Sequence, residues 1–94
     1  MDKNLQTKLL EYLLPYQPDR IGVFGSFARG ENKKGSDLDI LIKFKERISL
    51  LKLVQIEQEL TDKLGIQIDL VTENSLKNPR LKAYIAKDLI TIYE

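Results

Sequence analysis

The sequence contains no cysteine and no histidine among its 94 residues. The absence of cysteine excludes disulfide bonds, zinc sites built from thiolates and a cysteine nucleophile. The absence of histidine removes the commonest general base and the commonest metal ligand of proteins. Any catalysis by this chain must therefore use carboxylates, hydroxyls and cationic side chains.

Long apolar runs are absent as well. No stretch approaches the roughly 18 consecutive apolar residues that indicate a membrane span. The first residues, MDKNLQTKLL, lack the basic segment and apolar run of a secretory signal. We therefore expect no membrane partner and a cytoplasmic location.

The chain carries little net charge, because 15 lysines and arginines nearly balance 14 aspartates and glutamates. Nucleic-acid-binding domains are usually strongly basic, so we do not expect nucleic acid as the direct substrate. Some cations could still cluster in the folded chain: Lys33, Lys34, Lys77, Arg80 and Lys82. Scattered solubilising charge is the simpler explanation for them.

Length and hydrophobic pattern predict one domain over residues 1–94, because 43% hydrophobic content in a chain of this size suffices for a single core. Helical and strand-like apolar patterns alternate along it. They predict a helix over 3–14, a strand over 20–24, a short helix in SFARG, a strand over 37–44, a helix over 49–64, a strand over 66–71, a helix over 79–87 and a strand in LITIY. This order predicts an α/β (α+β) fold with a small mixed sheet backed by helices.

The longest predicted helix, residues 49–64, carries an apolar stripe. Ser49 can cap its start and Gly65 can end it. Residues at helical spacing form the stripe: Leu50, Leu53, Ile56, Leu60 and Leu64. We expect this stripe to face the core and the polar residues of the helix to face water.

Asp37 and Asp39 lie two residues apart on the predicted strand over 37–44, whose even-numbered residues are all apolar. Side chains alternate across a strand, so the two carboxylates point the same way, with their Cα atoms about 6 to 7 Å apart. At that separation the charges repel and raise the pKa of at least one carboxyl group unless a cation intervenes. Oxygen ligands on a rigid strand suit a hard ion such as Mg²⁺.

Gly25 and Ser26 directly follow the predicted buried strand over 20–24. A glycine at this point lets the backbone approach a ligand closely. A serine at the start of a helix places a hydroxyl beside N–H groups that attract phosphate. Together with the paired aspartates, this pattern indicates a phosphate held over a metal ion.

Each of these features also has a purely structural explanation. A Gly-Ser pair at a strand end is commonly a turn and a helix cap, and Ser36-Asp37 is a common turn before a strand. Asp69, the charge within IQIDLV, could be a solvated residue of an edge strand. A neighbouring strand could instead place Asp69 beside the other two aspartates, and three convergent carboxylates have no simple structural role.

The run GSFARGENKKGSDLDILIKF, residues 25–44, resembles the signature of the nucleotidyltransferase superfamily that includes DNA polymerase β: Gly25-Ser26, ten residues, Asp37, one residue, Asp39. It is similar in particular to the minimal nucleotidyltransferases, the MNT proteins encoded beside HEPN-domain toxins. The following helix, the IQIDLV strand and the closing KDLITIYE also fit that layout. The resemblance implies a polymerase β-like nucleotidyltransferase fold.

The resemblance also implies which residues contact the nucleotide. Gly25 and Ser26 would bind its phosphates. Arg29 resembles a frequent residue of the family that would reach the same phosphates, although an exposed arginine that covers apolar surface explains it as well.

The aspartates are the implied metal ligands. Asp37 and Asp39 would bind two Mg²⁺ ions, and Asp69 matches the family's third carboxylate. The implied reaction is transfer of AMP from ATP to a hydroxyl, with Asp69 able to accept the proton. The implied partner is a HEPN ribonuclease toxin, modified on a tyrosine and thereby silenced, in a hetero-oligomer with this antitoxin.

Three other functions stay open at the level of sequence. A degenerate relative could neutralise its partner by binding alone, although all three carboxylates are present here. An enzyme acting on a small molecule such as an aminoglycoside would work on the free antibiotic without a protein partner. A nucleic-acid end as acceptor would produce a steep salt dependence of binding.

Overall fold

A four-stranded mixed sheet forms the centre of the computed structural model, which describes residues 1–94. Strand β1 is antiparallel to both β2 and β4, whereas β2 and β3 are parallel. The strands are, in their spatial order, β3 (Ile68–Thr72), β2 (Leu38–Phe44), β1 (Pro18–Phe24) and β4 (Ile90–Tyr93). The predicted α/β class with a small mixed sheet is confirmed.

Four helices flank the sheet: α1 (Lys3–Leu13), α2 (Ser26–Arg29), α3 (Leu50–Leu64) and α4 (Pro79–Asp88). The side chain of Ser49 accepts a hydrogen bond from the N–H of Lys52 and caps α3, as predicted. Gly65 ends the same helix in a left-handed conformation with φ of 67°. No helix combines the length and the apolar character needed to cross a membrane.

Two apolar cores lie on opposite faces of the sheet, because side chains alternate along its strands. On one face, Ile56 and Leu60 of α3 pack with α1 against the even-numbered residues of β2. On the other face, Ile85 of α4 packs against Leu41 of β2. Asp39 lies on this second face, two residues before Leu41.

Leu50 does not join the buried stripe of α3, so that part of the prediction is wrong. Its side chain is 77% exposed, whereas Ile56 and Leu60 are almost fully buried. Leu50 is the first residue of the helix, and its neighbours Leu51 and Val54 are exposed too. The helix therefore packs on the sheet only after its first turn.

Replacing Leu60 by alanine should lower the free energy of unfolding by about 2–5 kcal/mol, because truncation of a buried leucine leaves a cavity. Leu50→Ala is the matched control on the same helix and should change the free energy by less than about 0.5 kcal/mol. Urea unfolding of both variants measures the difference. Equal losses would contradict the packing of α3 described here.

Candidate active site

Asp39 and Asp69 are neighbours on adjacent parallel strands. The register of β2 and β3 places Asp39 opposite Asp69, and paired strands lie about 4.8 Å apart. Leu38 and Ile40, on either side of Asp39, belong to the larger core on the opposite face. The carboxylates of Asp39 and Asp69 therefore project from the same face of the sheet.

Strand β3, which carries Asp69, is held along its outer edge by α3. The backbone N–H of Leu70 donates to Oε2 of Glu57 at 2.9 Å, and that of Ile68 donates to Oγ1 of Thr61 at 3.2 Å. Asp69 lies between these two anchored residues. Its backbone position is therefore fixed although its side chain is exposed.

Asp37 lies in the loop before β2, because the strand begins at Leu38, one residue later than predicted. Its side chain is exposed, and its charge acts on Asp39. Ser36 closes a turn: its N–H donates to the carbonyl of Lys33 at 2.9 Å, and its Oγ accepts from the N–H of Lys33 at 2.8 Å. These turn contacts are therefore enough to explain a serine at position 36.

Burial and neighbouring charge raise the pKa of Asp39 from 3.8 to about 6. Burial is the largest cause, followed by the charge of Asp69 and then that of Asp37. The positive charge of Arg29 acts in the opposite direction. Burial therefore disfavours the ionised form of Asp39, and the neighbouring negative charges add to this effect.

The three aspartates form a donor set whose chemistry suits a hard divalent ion such as Mg²⁺. In the structure as it stands, no three carboxylates are grouped closely enough to hold one ion. Joint ligation by Asp37, Asp39 and Asp69 therefore requires side-chain rotation. Asp37 and Asp69 are exposed and have the room for it.

Gly25 lies against the carboxylate of Asp39. Phe24 pairs with Asp39 across β1 and β2, so the next residue of the chain is beside that carboxylate. A Cβ atom on Gly25 would overlap Oδ2 of Asp39, and the backbone has φ of 75° and ψ of −153°, a combination that essentially only glycine adopts. The sequence predicts a glycine for close approach of a ligand; here the group that approaches is Asp39. Ser26 follows as the first residue of α2.

Arg29, the last residue of α2, contacts two carboxylates. Its Nη1 donates to Oδ2 of Asp88 at 2.7 Å, and its Nε lies 3.5 Å from Oε1 of Glu31. These contacts raise the pKa of Arg29, with the hydrogen bond to Asp88 as the largest cause. Nothing in the sequence singles out Asp88, because one acidic residue at a helix end carries no motif.

The lysines that the sequence indicated as a possible cluster lie in separate parts of the fold. Lys33 and Lys34 line one cavity together with Gln67, which lies just before β3. Lys77 lines another cavity beside Phe44, at the opposite end of β2. The distribution agrees with the interpretation of these residues as scattered charge.

The model of the nucleotidyltransferase domain family matches residues 5–92 of this sequence. The chain belongs to the nucleotidyltransferase domain family. A proposed protein adenylyltransferase of Methanocaldococcus jannaschii, MJ1217, is 53% identical over 77 residues, which are 82% of this chain and 79% of that protein. The protein adenylyltransferase MntA of Thermococcus cleftensis is 53% identical over 58 residues, which are 62% of this chain and 59% of that protein.

Solved structures share the fold of this nucleotidyltransferase domain. A toxin–antitoxin structure with AMP-PNP superimposes with a TM-score of 0.85 at 21% identity, covering 94% of this chain and 72% of the other. The complex of a tri-AMPylated HEPN toxin with MNT antitoxin from Shewanella oneidensis gives a TM-score of 0.80 at 19% identity. The match covers 99% of this chain and 72% of the other. A solved structure described as that of a proposed minimal nucleotidyltransferase is 34% identical, with a TM-score of 0.77 over 94% of this chain and 89% of the other, and it confirms the resemblance seen in the sequence.

Proposed function

We propose that this chain is a Mg²⁺-dependent adenylyltransferase that transfers AMP from ATP to a tyrosine hydroxyl of a partner HEPN ribonuclease toxin, and that it acts in this way as an antitoxin. The observation that carries the proposal is the pairing of Asp39 with Asp69 on adjacent strands, with Gly25 against the carboxylate of Asp39. A glycine-serine turn beside carboxylate oxygens offers the two parts that metal-assisted nucleotidyl transfer requires, a site for phosphate and ligands for a metal ion.

The descriptions of similar proteins support the donor and the acceptor class. The Thermococcus cleftensis relative is a protein adenylyltransferase, and the Methanocaldococcus jannaschii relative is proposed to be one. The matching Shewanella oneidensis complex contains a tri-AMPylated HEPN toxin, and another matching complex contains AMP-PNP. We infer an adenine nucleotide as donor and a HEPN protein as acceptor for this chain too.

Each site residue has a defined part in the proposed reaction. Asp37, Asp39 and Asp69 would hold Mg²⁺, which when bound lowers the pKa of the acceptor hydroxyl and neutralises the triphosphate. Asp69 accepts the hydroxyl proton as the acceptor oxygen bonds to the α-phosphorus and the bond to pyrophosphate breaks. Ser26 binds phosphate through its hydroxyl and its N–H group.

The openness of the site favours a macromolecular acceptor. Asp37 and Asp69 are both exposed, and Asp39 is only partly buried. A side chain on the surface of a folded partner can therefore approach these carboxylates directly from solvent. A small acceptor such as an aminoglycoside would have to be held by groups other than these.

The deciding experiment is the intact mass of the protein encoded by the adjacent gene after incubation with this chain, Mg²⁺ and ATP. We expect mass gains in units of AMP on the partner. The Asp37→Asn/Asp39→Asn double variant and a reaction containing EDTA are the controls, and neither should show the gain. A stable complex without any mass gain would contradict catalysis and favour an antitoxin that acts by binding alone.

A further inference from the structure

The ion pair between Arg29 and Asp88 joins α2 to α4. Its Nη1 to Oδ2 distance of 2.7 Å is the shortest of the three ion pairs in the chain. The Asp88 side chain is only 14% exposed, whereas Glu31, the other partner of Arg29, is 66% exposed and lies 3.5 Å away. Asp88 is therefore the partner that fixes the guanidinium group.

Asp88 itself has a firmly held backbone. It is the last residue of α4 and follows the buried Ile85 by three positions. The next residue, Leu89, packs so tightly on β1 that a Cβ atom at Gly22 would lie 2.6 Å from its Cδ1. Ile90 then pairs with β1. The backbone of Asp88 is thus held next to the strand that leads into the Gly25-Ser26 turn.

The location of Asp88 on its own helix is electrostatically unfavourable. The C-terminal end of a helix carries partial negative charge, so a carboxylate there is repelled and a cation is preferred. Asp88 is the last residue of the ten-residue helix α4. Its position in α4 therefore does not explain an aspartate, whereas its contact with Arg29 does.

Arg29 is well placed to act on a bound nucleotide. Its backbone N–H donates to the carbonyl oxygen of Gly25 at 3.1 Å, so the residue lies one turn from the Gly25-Ser26 pair. The Nη2 group of Arg29 makes no hydrogen bond within the chain and is free to donate.

We propose that Asp88 is a positioning residue for nucleotide binding, which orients the guanidinium of Arg29 so that its remaining N–H donors meet a phosphate of the nucleotide. Asp88 acts through Arg29 and does not itself contact the nucleotide. The inference rests on the proposed nucleotidyl transfer and adds to it a residue from the far end of the sequence.

The test is the affinity of Asp88→Asn for a non-hydrolysable ATP analogue with Mg²⁺, measured by isothermal titration calorimetry. No transfer to an acceptor is needed for this readout. We expect Kd to rise about tenfold, in line with the loss of other buried partners that orient a ligand-binding group. Asp88→Glu keeps the charge and should recover most of the affinity. Asp88→Asn added to Arg29→Gln should weaken binding no further, because both changes remove the same contact.

Glu73→Gln is the matched control. It breaks an ion pair of similar length, 2.9 Å between Arg20 and Glu73, at the opposite ends of β1 and β3 from the site. It should leave Kd unchanged, and the melting temperature of every variant is recorded alongside.

An unchanged Kd in Asp88→Asn would make the ion pair a purely structural contact and overturn the inference. So would additive losses in the Arg29→Gln/Asp88→Asn double variant. A wild-type chain that binds the analogue but transfers no AMP would overturn the proposed function alone. A wild-type chain that binds no nucleotide would overturn both.

Discussion

Asp39→Asn is expected to reduce AMP transfer on the order of a thousandfold and, at the same time, to stabilise the metal-free protein. The Asp39 carboxylate would be a metal ligand in the proposed reaction, and its loss removes several kcal/mol of transition-state stabilisation, about 1.4 for each tenfold in rate. Without metal the same carboxylate opposes folding, since burial and the charges of Asp69 and Asp37 disfavour its ionised form. Activity and stability should therefore change in opposite directions.

The stabilisation should depend on pH. The pKa of Asp39 is about 6 in the folded chain against 3.8 for the unperturbed side chain, so between these values the folded state holds a proton that the unfolded state has lost. This contribution to wild-type stability is fully present below pH 3.8 and is lost as the pH rises through about 6. The full shift corresponds to about 3 kcal/mol, and solvent screening of a partly exposed side chain reduces it to about 1–2 kcal/mol.

Thermal unfolding of wild type and Asp39→Asn in EDTA, at about pH 4 and about pH 8, measures the effect near both ends of the range over which it develops. Asp39→Asn should be more stable than wild type at the higher pH. Asp19→Asn neutralises an exposed carboxylate outside the cluster and serves as the control. An equal stability difference at both pH values would exclude ionisation as the cause, and undiminished AMP transfer would remove Asp39 from the active site.

Gly25→Ala is expected to abolish nucleotide binding and to lower the free energy of unfolding by more than the strain of an unusual backbone alone. A non-glycine residue in this conformation costs about 1–3 kcal/mol. The added methyl group also overlaps Oδ2 of Asp39 and lies 3.3 Å from its Cγ, so the carboxylate must move away from Asp69. The substitution therefore disturbs both the Gly25-Ser26 turn and the carboxylates of Asp39 and Asp69.

Gly65→Ala separates strain from overlap. Gly65 also has a positive φ, 67°, but a Cβ atom there would have no neighbour within 4 Å. It should lose about 1 kcal/mol of stability, the usual penalty for alanine in the left-handed region, and keep full nucleotide affinity. Calorimetric titration with an ATP analogue and urea unfolding give both quantities. Gly25→Ala that binds nucleotide like Gly65→Ala would show that the contact between Gly25 and Asp39 is dispensable.

Most of the fold could be predicted because local pattern and tertiary packing agree. The even-numbered apolar residues of β2 face the larger core as their alternation predicts, and Ser49 and Gly65 bound α3 as their chemistry predicts. The predicted burial of Leu50 is wrong because helical spacing defines an apolar stripe but does not show how far along the helix the sheet extends. That information belongs to tertiary packing.

The candidate site could be predicted in part for the same reason. Asp37 and Asp39 are only two residues apart in the sequence, so they stay near each other even though Asp37 lies in the loop before β2. The pairing of Asp39 with Asp69 depends on the register of two strands, which spacing suggests but does not determine. The contact between Arg29 and Asp88 spans two elements with no common motif, and only the three-dimensional structure shows it.

The pairing of β4 with β1 has a consequence for how the protein folds. Tyr93 lies opposite Ile21, so this edge of the sheet forms only when two segments far apart in the sequence meet. Such non-local pairings form late, because the entropy lost in closing a long loop comes before the contacts that offset it. Arg29 gains its Asp88 partner in the same step. Full nucleotide affinity should therefore appear only when β4 pairs with β1, and a chain in which this pairing has not yet formed should bind nucleotide about tenfold more weakly.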